Sequence, residues 1–127
     1  MDTRYPALAL CVLLASNAAA QTAGARAGIL VQSSPLAGFR YYDAKALWDE
    51  MQVGDALTLV REPANPHDAN AVRVEWQGHL LGYVPRRENA DVARQIDRGT
   101  AVRARISRLQ KSRSPSQRIE FEVYVDL

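Results

Sequence analysis

The strongest constraint on the fold is a period of two near the C-terminus. Val102, Ala104 and Ile106 alternate with Arg103, Arg105 and Ser107, and Ile119, Phe121, Val123 and Val125 alternate with Glu120, Glu122, Tyr124 and Asp126. Successive side chains of a β-strand point to opposite faces, so each segment reads as a strand with one apolar and one charged face. The polar residues 112–117 between them read as a loop, which makes the pair an antiparallel hairpin. Its arginines would then face its glutamates across the solvent side, each pair contributing roughly a few tenths of a kcal/mol.

The same period recurs upstream, where Val72, Val74 and Trp76 alternate with Arg73 and Glu75. Residues 28–31, 38–42, 57–60 and 79–84 complete the expected strands. Pro63 and Pro66 stiffen the connection after residue 60, and Asn65 and Asp68 are placed to make side-chain turns there. Gln77-Gly78 turns the chain into the strand that Pro85 stops. Residues 46–51 predict a helical turn, and residues 88–97 predict a helix closed by Gly99. The fold class is therefore mainly β with one or two short helices. About six short strands in roughly 100 residues form a small, partly open β-barrel.

Residues 1–20 differ in kind. One Arg precedes an apolar run at 7–15, and Ala18-Ala19-Ala20 supplies the small residues that a signal peptidase requires. The run is too short to cross a bilayer, which takes about 20 residues. The expectation is a signal peptide at 1–20, cleaved before Gln21, a linker at 21–27 and a domain at 28–127. The product would be periplasmic or secreted, with no membrane insertion after cleavage. Cys11 is the only cysteine and lies in that leader, so residues 21–127 can form neither a disulfide nor a thiolate metal site.

Chemistry-bearing residues are few. His67 and His79 are the only histidines, and Asp68-Ala69-Asn70 is not followed by the carboxylate that a calcium loop needs. There is no Gly-rich phosphate loop and no nucleophile elbow. The expectation is a non-enzyme without cofactor or metal. From residue 86 onward there are ten basic and six acidic residues, nearly all the basic ones Arg. Such a face can hold phosphate by bidentate contacts or pair internally with carboxylates.

One set of segments goes further. Gly38-Phe39-Arg40-Tyr41-Tyr42, then Arg61-Glu62-Pro63-Ala64-Asn65-Pro66-His67-Asp68-Ala69-Asn70-Ala71-Val72, then Gly82-Tyr83-Val84-Pro85-Arg86 together resemble the HIRAN domain. The resemblance covers residues 29–127. It implies an OB-like barrel that binds single-stranded DNA, in the best-understood members by capturing a free 3′ end. Other members join the domain to an ATP-driven motor, which this chain lacks.

Carried over by residue, the resemblance lays Arg40 and Tyr41 along the strand, with Tyr41 as a stacking platform. It makes Asp68 the acceptor for the terminal sugar hydroxyl and puts Asn65, Tyr83 and Arg86 near the same groove. His67 stands where eukaryotic members have Tyr. Read as a strand, residues 41 and 42 face opposite ways, so at most one of these tyrosines is a platform. The expected partner is single-stranded DNA or another nucleic acid. The alternative is an exported envelope module that keeps the fold for a protein or glycan ligand.

Overall fold

The computed structural model describes residues 27–126, so the expected leader and residues 21–26 of the linker lie outside the described residues. Among the described residues six strands, β1 (Gly28–Pro35), β2 (Ala56–Arg61), β3 (Val72–Trp76), β4 (His79–Tyr83), β5 (Val102–Leu109) and β6 (Ile119–Asp126), accompany one α-helix, α1 (Ala90–Asp97). Every strand pair is antiparallel, in the order β1-β6-β5-β2-β3-β4.

The C-terminal alternation folds as its period dictates. Ala104, Ile106, Ile119, Phe121 and Val123 are buried in the core. On the outer face Arg105 lies 3.5 Å from Glu122, and Arg108 lies 3.9 Å from Glu120. A bulge between Ile106 and Arg108 brings Arg108, rather than Ser107, opposite Glu120. Arg103 pairs with Asp126 instead of a glutamate. The core also takes Val72, Val74 and Trp76 of β3, Leu81 of β4, Val92 and Ala93 of α1, and Leu36, Phe39, Ala44, Met51, Leu57 and Val84.

Curvature comes from β2, which serves two partners. Ala56 and Leu57 pair with Arg105 and Ala104 of β5, and residues 58–61 pair with β3. A strand shared in this way turns the sheet through a corner. β1 and β4 lie at opposite ends of the strand order. Just after β1, Ala37 forms an isolated bridge with Tyr83 of β4, its N–H and carbonyl each bonded at 2.9 Å. The sheet thus curls round until its ends meet at one residue pair, an OB-like, partly open barrel. Gly82 permits this approach, because a Cβ there would stand 2.2 Å from the Ala37 carbonyl oxygen.

Three sequence expectations need correction. Residues 38–42 are not a strand: Gly38 takes φ +84° and Phe39–Tyr41 form a single 3-10 turn. The cause is tertiary, since Phe39 is buried edge-on to Trp48, with ring centres 5.8 Å apart and planes at 80°. Tyr41 and Tyr42 therefore do not alternate across a strand. The helix begins at Ala90 rather than 88, after a 3-10 turn at Arg86–Glu88. The first strand runs on to Pro35 because residues 32–35 continue its pairing with β6.

Candidate nucleic-acid interface

The loop between β2 and β3 is organised by its own side chains. Asn65 Oδ1 accepts from the N–H groups of His67 at 2.9 Å and Asp68 at 3.2 Å. Asp68 Oδ1 accepts from the Asn70 N–H at 2.9 Å. These are the side-chain turns expected of Asn and Asp in such a segment. Arg61 ties the loop down from beneath, donating to the carbonyls of Ala71 at 2.9 Å and Ala69 at 3.0 Å. Its guanidinium is held in turn by Asp97 of α1, 3.0 Å from Nε.

Asp68 therefore presents a fixed carboxylate. Its second oxygen accepts from Asn89 Nδ2 at 2.7 Å and lies 3.9 Å from Arg86 Nε. The Asn70 N–H, the Asn89 amide, and the charges of Arg86 and Arg61 hold its pKa below the usual carboxylate value, against an opposing effect of partial burial. An ionised carboxylate offers about four acceptor sites, so two hydrogen bonds leave acceptor capacity for a ligand. Arg86 also donates to the His67 carbonyl, which keeps its guanidinium over the loop while the side chain stays largely exposed.

Tyr83 forms the opposite wall. Its hydroxyl reaches the Glu62 carboxylate at 3.0 and 3.1 Å. Burial, then the hydrogen bond and charge of Glu62, push its pKa up to about 12. Glu62 also accepts from Asn65 Nδ2 at 3.0 Å, so the two walls share one anchor. The Tyr42 ring rests against Tyr83, with centroids 5.7 Å apart and planes at 59°.

Between these groups lies an open cleft of about 290 Å³. Asn65, His67, Asp68, Tyr83 and Arg86 line it, which brings together five of the seven residues expected from sequence. Arg40 and Tyr41 sit outside the lining, on the neighbouring turn, with Tyr41 77% exposed. Tyr42 takes the lining position instead. Sequence reasoning also missed Asn89 and Glu62. Glu62 stood inside the matched string, whereas Asn89 lies outside it and carries no cap hydrogen bond to the helix it precedes. The assembled groups can accept a hydroxyl, stack planar rings and neutralise an anion.

The HIRAN domain family matches residues 29–127. The fold is similar to a crystal structure of a protein from Lactobacillus plantarum, with 28% identity and a TM-score of 0.69 over 80% of this chain and 97% of that one. It is also similar to the HIRAN domain of human HLTF, with 19% identity and a TM-score of 0.52 over 77% of this chain and 76% of that one. At that identity the second likeness bears on the fold alone. No curated protein matches the chain. On the match over residues 29–127, this chain belongs to the HIRAN domain family, a family of nucleic-acid-binding modules.

Proposed function

We propose that the domain binds single-stranded DNA in the cleft between the β2–β3 loop and Tyr83, with the 3′-terminal hydroxyl donating to Asp68. The observation that carries this reading is the grouping of an ionised, partly free carboxylate, two tyrosine rings and an exposed arginine in one depression. Aromatic faces stack on any base, and an arginine answers the phosphate backbone. A terminal phosphate would meet the Asp68 charge, so the pocket selects a hydroxyl end.

The test is a titration of the purified protein with labelled strands ending in a 3′-hydroxyl or a 3′-phosphate, at two salt concentrations. The hydroxyl strand should bind more tightly, and Asp68→Ala should remove the difference. Equal affinity for both ends in the wild type overturns end capture and leaves a general strand binder. Failure to bind any oligonucleotide at low salt overturns the nucleic-acid reading in favour of a protein- or glycan-binding envelope module.

Export belongs to the same proposal and is supported by the apolar run and the three alanines before Gln21. Intact mass of protein recovered from the envelope should lack residues 1–20. Recovery of the uncleaved chain in the cytoplasm would contradict it.

A further inference from the structure

A second and larger depression, of about 530 Å³, takes Phe39 of the Phe39–Tyr41 turn into its lining. Phe39 and Trp48 supply its aromatic wall. Lys45, Lys111, Arg113 and Arg118 supply four cations, against the single carboxylate of Asp49. None of these four cations makes an ion pair among the described residues. The arginines on the outer face of β5, in contrast, each have a carboxylate partner. Paired arginines present little net field, whereas unpaired cations around a concave surface concentrate a positive potential.

The groove is also partly prearranged. Arg118 is fixed by its own hydrogen bond to the Ser112 carbonyl at 2.7 Å and by the Phe39 ring, 4.9 Å beneath its guanidinium carbon. Trp48 is half-buried edge-on to Phe39, so its position is set by the core. One short segment serves both depressions: Phe39 lines the groove, Ala37 and Tyr42 line the cleft, and the exposed Arg40 and Tyr41 lie between Phe39 and Tyr42 in the chain.

We infer that the groove is a second nucleic-acid subsite, which takes the phosphodiester backbone of the same strand beyond the end held in the cleft. The strand would cross the turn at Arg40 and Tyr41 and run between Lys45, Lys111 and Arg113, with a base against Trp48. Cations beside aromatic faces are what sequence-independent binding of a single strand requires. The inference rests on the proposed strand binding at the cleft and extends it, and it gives Arg40 and Tyr41 a place on the path between the two subsites.

The experiment uses the whole protein and the triple variant Lys45→Gln, Lys111→Gln, Arg113→Gln. All three side chains are exposed, so the fold should survive, and circular dichroism checks that it does. Two DNA strands with free 3′-hydroxyls serve as probes, one of about three nucleotides and one of about twelve, the longer within the site size of OB-type folds. The triple variant should bind the short strand as the wild type does. For the long strand it should lose of the order of fivefold in affinity per phosphate contact at about 0.1 M salt, and its salt dependence should flatten by about 0.7 per contact. An unchanged affinity and salt slope for the long strand, or an equal loss for both strands, overturns the subsite. If the wild type binds neither strand, the cleft proposal fails as well, which is a different result from binding that ignores the groove.

Discussion

Asn89, 2% exposed, donates its amide hydrogen to Asp68 Oδ2 at 2.7 Å and so ties the residue before α1 to the β2–β3 loop across 21 positions of chain. The carboxylate that lines the cleft is thereby positioned by a side chain outside the cleft's lining. Asn89→Ala should cost about 1–3 kcal/mol of stability through the lost buried hydrogen bond. Urea unfolding measures this. The Asp68 pKa should rise in the same variant, as followed by NMR of its carboxyl carbon.

The depressed pKa of Asp68 gives a signed pH dependence. A carboxyl held below its unfolded value of about 3.9 stabilises the fold above that pH, and the contribution is lost as pH falls through the folded pKa. Wild type should therefore exceed Asp68→Asn in stability at neutral pH, and the gap should close in acid below about pH 4. A gap that is constant from pH 7 to acid would contradict the assignment.

Tyr83 works in the opposite direction. Its phenol is pushed up to about 12, so its contribution is fully present below the unfolded value near 10 and is lost as pH rises through 12. Ultraviolet titration should show one tyrosine ionising late. Glu62→Gln should bring that transition down, because it removes the charge that opposes the phenolate.

Gly82→Ala should be among the most damaging single substitutions. The added Cβ would collide with a backbone carbonyl, which cannot swing aside as a side-chain tip could. Overpacking of this kind costs about 1–3 kcal/mol. Breaking the Ala37–Tyr83 bridge adds to it, so DNA binding and thermal stability should fall together.

The two exposed tyrosines should separate by strand length. Tyr42→Ala should cost about 1–3 kcal/mol for any strand with a base in the cleft. Tyr41→Ala should weaken only strands long enough to cross the turn. A Tyr41→Ala defect on the shortest strand would instead put its ring in the cleft with the terminal base.

The fold was legible wherever a period of two met a turn signal, as in β3, β5 and β6. It was not legible at residues 38–42, because an aromatic-rich run suits a strand by composition. The actual turn is imposed by Phe39 burying against Trp48 and by Gly38 at positive φ. Asn65, His67 and Asp68 could be placed together because they share one loop, and Tyr83 and Arg86 because the family resemblance joined them to it. Asn89 and the groove lined by Phe39, Trp48 and Lys111 could not be foreseen. Each depends on segments distant in sequence that meet only after the barrel has curled.

The single-pair closure at Ala37 and Tyr83 is also part of the cleft, since both residues line it. Opening the seam would take the cleft apart, so a strand that binds there should resist the opening. Amide hydrogen exchange at Ala37 and Tyr83 should slow by the factor 1 + [L]/Kd as the strand is added. Two backbone amides thus act as a native occupancy gauge, readable without a label on either molecule.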